Sequence, residues 1–230
     1  MNNRSLLVLG DSHLEALKFA ADLNLLEVHN HSFTIVPGAT AVGLRNPNSL
    51  TDALNIFKHS LSNQSLDSYV LLHLGEVDCG FVIWWRAEKY GESIDIQLKE
   101  SIEAYSNFLK EIIEKGFKKI CVTGASLPTI KDGFNLGQVA NKRSEILVSM
   151  KLRTQLTLKY NLDLEKIAKS LGLFYFDITD AVLDKSNMFV HDFFLKEDRT
   201  DHHLDSLKTV GVWADKCNNF IKQIDGECIG

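Results

Sequence analysis

The chain has 230 residues, of which 45% are hydrophobic and 24% charged, and its formal net charge is −5 at pH 7. This length is sufficient for one substantial folded domain, and no linker rich in proline, glycine or serine divides it. We therefore expect a single domain over residues 1–230. Lysine and arginine residues are scattered and form no basic stripe, which argues against a nucleic-acid partner and favours a small-molecule partner.

The sequence also argues against a membrane partner. Residues 1–4 lead directly into the first apolar run, and no stretch reaches the ~18 apolar residues of a membrane span, so we expect a cytoplasmic protein without a leader. Whether it forms a homo-oligomer stays open. The four cysteines, which are Cys79, Cys121, Cys217 and Cys228, have no paired spacing. Cys121 and Cys217 lie in apolar patterns and are expected to be reduced core residues rather than parts of a disulfide or zinc site.

Five short apolar segments alternate with helical patterns along the chain. The predicted strands span residues 5–9, 32–36, 69–74, 119–124 and 173–178. The predicted helices span residues 14–23, 51–61, 98–115, 143–171 and 204–224. Such alternation requires crossover connections, which predicts an α/β protein with a three-layer α/β/α sandwich and a mainly parallel five-stranded sheet.

Polar loops follow the predicted strands, and the first of them is Gly10-Asp11-Ser12. In an open parallel sheet, ligands bind at the carboxyl ends of the strands, where the next helix also presents unpaired N–H groups. Ser12 is therefore a candidate nucleophile. The structural alternative is that Asp11 or Ser12 only caps the following helix.

A serine hydroxyl needs a base within hydrogen-bond reach, and that base needs an orienting carboxylate. Asp201, His202 and His203 lie together directly before the last predicted helix and can supply both groups. Asp201 is alternatively a helix cap. The imidazoles of two adjacent histidines are expected to diverge, and no other ligand cluster stands out, so we predict no metal site.

Four short motifs occur in order along the chain: Gly10-Asp11-Ser12, Gly38-Ala39-Thr40, Gly75-x-x-Asp78, and the Asp/His turn at 201–203. Together they resemble the SGNH hydrolases, also called GDSL-type esterases, from about residue 6 to residue 204. The resemblance implies a flavodoxin-like fold and a catalytic Ser12. It also implies His203 as general base, and backbone N–H groups of Ser12 and Gly38 as donors to the oxyanion.

Two motifs depart from the family pattern. The third motif of the family has an asparagine whose side chain donates to the oxyanion, whereas this chain has Val77 at that position, between Glu76 and Asp78. The family acid stands three residues before its base, a place that here holds Thr200 relative to His203 and Arg199 relative to His202. We choose Asp201 with His203 and keep His202 as an alternative base and Asp198 as an alternative acid.

A wider pattern over residues 37–49, 75–79, 152–157 and 201–204 resembles a bacterial branch of SGNH-like proteins associated with surface-polysaccharide biosynthesis. This resemblance implies an acyl group such as acetyl on a sugar as the substrate, and either hydrolysis or transfer as the reaction. It leads us to expect an oxyanion and substrate-binding region made of Gly38, Thr40, Glu76, Asp78 and Arg86.

Residues 84–86, Trp-Trp-Arg, fit a carbohydrate substrate because aromatic faces suit sugar rings and Arg86 can bind a carboxylate or phosphate. The structural alternative places one tryptophan in the core and the other against a neighbouring subunit, with Glu76 paired to Arg86, Arg143 or Arg153. His13 is expected to be a first-turn helix residue that points away from the serine. His73, within an apolar strand, is expected to be a hydrogen-bonded core residue.

The sequence therefore predicts a serine esterase or acyltransferase that works through an acyl group on Ser12 and needs no cofactor. The alternative is a non-catalytic protein that binds carbohydrate or assembles with biosynthetic partners, because Val77 lacks a donor and a fold does not determine a function. A second alternative assigns the glycine-rich loops to a flavin or phosphate site.

Overall fold

A computed structural model describes residues 4–132 and 148–226. The strands are β1 Ser5–Gly10, β2 Asn30–Ile35, β3 Tyr69–His73, β4 Lys119–Thr123, β5 Phe174–Phe176, β6 Leu183–Asp184 and β7 Phe189–Val190. The helices are α1 Glu15–Asp22, α2 Ala53–Ser62, α3 Ile83–Tyr90, α4 Ile94–Glu114, α5 Met150–Ser170, α6 Thr179–Val182 and α7 Ser206–Asp225. Predictions that concern Arg143, Cys228 and the rest of residues 143–147 lie outside the described residues.

The main sheet has five strands in the order β2-β1-β3-β4-β5, and each neighbouring pair is parallel. This order is the flavodoxin-like order, so the predicted α/β fold is confirmed. Because all five strands run in one direction, the loops that follow them emerge at the same edge of the sheet. The first three of those loops carry the predicted motifs.

The two faces of the sheet bury different side chains because successive residues of a strand point to opposite sides. Leu7 and Leu9 of β1 pack in one core cluster with residues of α2, α4 and α5. Leu6 and Val8 pack in a second cluster with residues of α1 and α7. The predicted arrangement of helices on both faces is therefore confirmed.

Helix α3 was not predicted from the sequence. A π-helical turn over Asp78–Val82 leads directly into it. A π turn contains more residues than an α turn, so it shifts the phase of the apolar pattern and hides the helical period. Helix α4 also begins four residues earlier than predicted, because the Ser93 hydroxyl accepts the N–H of Ile96 and caps it.

Cys79, Cys121 and Cys217 are buried free thiols, which confirms the core placement predicted for Cys121 and Cys217. No helix within residues 4–132 and 148–226 combines the length and apolarity that crossing a lipid bilayer requires.

We expect Gly10→Ala to destabilise the protein, because a Cβ at this position would lie 2.2 Å from the carbonyl oxygen of His73 and 2.7 Å from Cδ1 of Leu14. The free energy of unfolding should fall by about 1–3 kcal/mol, as in other overpacked cores. Urea denaturation measures the change. The matched control is Gly211→Ala in α7, where a Cβ has no atom beyond the helix's own backbone within 4 Å. The control should gain up to about 1 kcal/mol, and equal destabilisation of both variants would contradict the close contact.

Candidate active site

Ser12 lies just beyond the carboxyl end of β1. The backbone N–H of Asp11 donates to the carbonyl oxygen of His73 at 3.2 Å, which extends the contact between β1 and β3 past the strand end. The Asp11 carboxylate accepts the backbone N–H of His13 at 2.9 Å and caps a 3-10 turn over Ser12–Leu14. Asp11 is therefore the capping residue, and the Ser12 hydroxyl has a different partner.

That partner is His203, which is 191 residues away in the sequence. Oγ of Ser12 lies 2.9 Å from Nε2 of His203, and Nδ1 of His203 lies 2.7 Å from Oδ1 of Asp201. Because a carboxylate only accepts, Nδ1 donates to Asp201 and Nε2 is left as the acceptor for the serine hydroxyl. The structure thus brings together a nucleophile, a base and an orienting acid, and their catalytic roles stay a prediction.

Several donors hold the carboxylate of Asp201. Oδ1 also accepts the backbone N–H of His203 at 2.9 Å, and Oδ2 accepts Nζ of Lys196 at 2.8 Å. Burial raises the pKa of Asp201, but the hydrogen bonds from Lys196 and His203 outweigh it and hold this pKa well below its usual range. The alternative acid, Asp198, is exposed and accepts the N–H and hydroxyl of Thr200 in a local turn.

The segment that carries His203 lies in a loop closed by a β-bridge, shortly before the start of α7. The bridge pairs Leu195 with Leu204 in antiparallel orientation. Helix α7 begins two residues later than predicted because the Asp205 carboxylate caps it, accepting N–H groups of its first turn. The expectation that Asp201 caps this helix is therefore wrong.

His13 is buried beside the base. Its ring centroid lies 4.6 Å from that of His203, and its Nε2 lies 3.1 Å from Oε2 of Glu76. The expectation that His13 points away from the site is wrong, because the His203 imidazole lies over the 3-10 turn and contacts both residues. Burial, followed by the nearby imidazole of His13, lowers the pKa of His203 and favours its neutral form.

His202 completes a group of three imidazoles. Its ring centroid lies 4.0 Å from that of His203 and 5.3 Å from that of His13. One ring nitrogen from each of the three histidines lies within 4.8 Å of the other two. The expected divergence of His202 and His203 is therefore wrong, since their rings lie side by side at an interplanar angle of 39°.

No protein-family model and no curated protein sequence matches the chain. Several solved structures resemble it along almost its whole length. One is a GDSL-like lipase from Bacteroides thetaiotaomicron, which is 11% identical with a TM-score of 0.56 and matches 99% of this chain and 90% of its own. A carbohydrate acetylesterase family member from Sinorhizobium meliloti is 10% identical with a TM-score of 0.60, covering 97% and 99%. A carbohydrate acetylesterase from the same organism is 12% identical with a TM-score of 0.53, covering 96% and 99%.

This chain has the SGNH-hydrolase fold. The predicted resemblance is confirmed for the fold alone. Sequence identities of 10–12% are too low to assign the activity of these proteins to this chain.

Asp78 connects the loop after β2 to the segment after β3. Its carboxylate accepts the backbone N–H groups of Ala41 and Val42 at 2.7 and 3.0 Å and the hydroxyl of Ser101 at 2.7 Å. Burial raises the pKa of Asp78, and these three hydrogen bonds partly offset that rise. We expected Asp78 to bind substrate, but this is wrong because its fully buried carboxylate faces the protein and holds the loop.

Gly38 and Thr40 lie on that same loop. Gly38 is exposed and has a φ of +73°, a left-handed conformation that favours glycine. The Thr40 hydroxyl accepts the N–H of Gly43 at 3.0 Å, next to a 3-10 turn over Val42–Arg45. Thr40 therefore shapes the loop, while a contact of Gly38 or Thr40 with substrate stays a prediction.

Arg86 belongs to an ion-pair network between helices α3 and α4. Nε donates to Oε1 of Gln97 at 2.5 Å and Nη2 donates to Oε2 of Glu100 at 2.9 Å. Arg45 donates to the same Glu100 oxygen at 2.8 Å. The Arg86 guanidinium is used in this network, and its role in substrate binding stays a prediction. Glu76 pairs with His13 rather than with Arg86.

The two tryptophans have different surroundings. Nε1 of Trp84 donates to the carbonyl oxygen of Cys79 at 2.7 Å, and the ring packs against the core, as predicted for one of the pair. Trp85 stacks on Phe81 with ring centroids 6.5 Å apart, and Nζ of Lys89 lies 4.3 Å from the Trp85 ring centroid.

His73 is fully buried beneath the site, as expected. The Thr123 hydroxyl donates to the Leu72 carbonyl and therefore accepts Nδ1–H of His73 at 2.6 Å, which leaves Nε2 to accept the Ser126 hydroxyl at 3.3 Å. Burial lowers the pKa of His73 to about 3, in agreement with this neutral tautomer. Burial also raises the pKa of Asp11 to about 6.

Sequence reasoning missed Lys196, Ser101 and the inward orientation of His13. Lys196 lies five residues before Asp201, but a lysine in a loop has no periodic pattern that indicates its partner. Ser101 is on the buried face of α4, where a polar residue within an apolar stripe was the available signal. The signal at His13 was its position next to the candidate nucleophile.

We expect Asp78→Asn to destabilise the protein by about 1–3 kcal/mol, because an amide nitrogen would face a backbone or hydroxyl donor that now binds the carboxylate. The exposed Asp67→Asn is the matched control and should change the free energy of unfolding by less than about 0.5 kcal/mol. Urea denaturation at neutral pH compares the two. Equal stability of both variants would show that Asp78 does not hold the loop.

Proposed function

We propose that the protein is a serine ester hydrolase that forms an acyl intermediate on Ser12. The observation that supports this most directly is the chain of two hydrogen bonds, at 2.9 and 2.7 Å, from Ser12 through His203 to Asp201. The SGNH fold adds support, because the chain shares it with lipases and acetylesterases.

In the first half of the reaction, Oγ of Ser12 attacks the ester carbonyl carbon while Nε2 of His203 takes the hydroxyl proton. The tetrahedral intermediate then expels the alcohol, which receives that proton from Nε2. In the second half, water attacks the acyl-serine and gives a proton to Nε2, and the proton returns to Oγ as the carboxylic acid leaves. Asp201 holds the Nδ1–H tautomer and stabilises the imidazolium, and its lowered pKa keeps it ionised throughout.

The oxyanion of the intermediate needs preorganised donors, and Val77 supplies no side-chain donor. We assign this role to the backbone N–H groups of Ser12 and Gly38, on the loops after β1 and β2. Asp78 supports this assignment indirectly, because its bonds to Ala41 and Val42 hold the second loop in place.

We propose an acyl ester, such as an acetyl ester, of a carbohydrate as the substrate. Two of the similar structures are described as carbohydrate acetylesterases or members of that family. The half-buried Phe81–Trp85 pair lies after β3, at the edge of the sheet that also carries Ser12, and its aromatic faces suit a sugar ring. A role in polysaccharide biosynthesis, a cytoplasmic location and a homo-oligomer stay predictions.

The test compares hydrolysis of p-nitrophenyl acetate and a peracetylated monosaccharide by wild type and variants. Ser12→Ala and His203→Asn should each lower kcat by at least about 10³-fold, whereas His202→Asn should retain most of the activity. Ser62→Ala, an exposed serine at the end of α2, is the control for the serine change.

Equal rates in wild type and Ser12→Ala would refute the proposed function and favour the non-catalytic alternative. Loss of activity in His202→Asn with retention in His203→Asn would instead make His202 the base. Acyl transfer to an added sugar alcohol, at the expense of free acetate, would make the protein a transferase.

We expect Val77→Asn to raise kcat about tenfold or more, because the amide adds a donor of the kind whose removal from an oxyanion hole costs about 10²–10³-fold. Val77→Leu is the matched control, since it changes the side-chain volume without adding a donor. The measurement is kcat for p-nitrophenyl acetate in wild type, Val77→Asn and Val77→Leu. A fall in kcat for Val77→Asn with unchanged stability would indicate that backbone N–H groups already bind the oxyanion where the added amide would lie.

A further inference from the structure

Three imidazoles from two distant parts of the chain meet beside Ser12. His13 follows β1, whereas His202 and His203 precede α7, and one ring nitrogen from each lies within 4.8 Å of the other two. The proposed reaction uses only one of these rings, since a single imidazole bonds both Ser12 and Asp201. Imidazole nitrogens are common ligands of zinc, nickel and copper ions, and three of them can bind one ion from the same side.

We propose that His13, His202 and His203 bind one divalent transition-metal ion of the zinc class, which inhibits the protein reversibly by drawing His203 away from Ser12. Three protein ligands leave a fourth position of the ion for water, as in open zinc sites. The binding part of this proposal is independent of the esterase function, and the inhibition part rests on it.

Carboxylates near two of the rings support binding of a cation. Asp201 accepts Nδ1–H of His203 at 2.7 Å, which is the usual arrangement for a histidine that binds a metal through its other nitrogen. Glu76 lies 3.1 Å from Nε2 of His13 and adds a buried negative charge. Lys196 partly offsets these negative charges, since its Nζ lies 2.8 Å from Oδ2 of Asp201. The same Nζ also lies 3.2 Å from Oε2 of Glu15.

Inhibition is expected because the Ser12 hydroxyl and the metal ion would both use the lone pair on Nε2 of His203. Because Nδ1 of His203 is bonded to Asp201, the ion must bind Nε2, which now accepts the Ser12 hydroxyl at 2.9 Å. Zinc binds imidazole nitrogen at about 2.0–2.1 Å, so the three nitrogens must approach to about 3.3 Å from one another. His202 is half-buried at the surface, and a change of its rotamer supplies part of this movement.

Isothermal titration calorimetry with zinc chloride tests the binding. Wild type and His29→Asn, which changes an exposed histidine, should each bind one ion per chain with equal affinity. His202→Asn should bind at least about tenfold more weakly, since it loses a direct ligand. Ser12→Ala should bind at least as tightly as wild type, because no hydroxyl competes for Nε2.

The activity assay tests the inhibition. Turnover of p-nitrophenyl acetate by wild type should fall as the ion binds and return when EDTA removes it. His202→Asn should need at least about tenfold more zinc than wild type for half-inhibition, when the rate of each protein is compared with its own rate without metal.

Equal zinc affinity in wild type and His202→Asn, or no stoichiometric binding, would refute the metal site. Stoichiometric binding without loss of turnover would refute the inhibition. If metal-free wild type hydrolyses no ester, the proposed function fails and the inhibition falls with it, while calorimetry still decides the binding.

Discussion

The parallel pairing of β1 with both β2 and β3 determines where the functional groups lie. The Gly10 carbonyl accepts the N–H of Val36 at 2.8 Å, and the Asp11 N–H donates to the His73 carbonyl at 3.2 Å, so the three strands end at the same level. Successive side chains of a strand point to opposite faces, and a shift of one residue would exchange them. The pairing therefore fixes the position of Ser12 at the carboxyl edge of the sheet.

Below this edge the protein buries the ionisable side chains of Asp78, Glu76 and Asp11, which are held by hydrogen bonds and ion pairs instead of apolar contacts. Asp78 has three donors, two from the loop after β2 and one from helix α4, and Glu76 has the imidazole of His13. A buried carboxylate without partners would be strongly destabilising, so these contacts tie the loops to the strand ends. Asp11, whose pKa burial raises to about 6, lies directly next to Ser12 in the chain.

The sequence predicts the five main strands well because buried parallel strands are continuous apolar runs between turn formers. The flavodoxin-like arrangement was implied by the family resemblance. It could not predict α3, since the π turn over Asp78–Val82 breaks the helical phase. The ranking of Asp201 and His203 over their neighbours agrees with the geometry. The substrate-binding role given to Asp78 was wrong because its partners Ala41 and Val42 lie 37 and 36 residues away in the sequence, and no local pattern reveals such pairs.

The imidazole cluster serves the proposed base even without a metal. A general base must be neutral before it accepts a proton, and burial together with the neighbouring His13 lowers the pKa of His203. A metal ion also requires a neutral imidazole, so the same surroundings favour both uses of the ring. The two uses differ in what occupies Nε2, which is either the Ser12 hydroxyl or the ion. In both uses Nδ1 of His203 donates to Asp201, so the hydroxyl and the ion compete for Nε2.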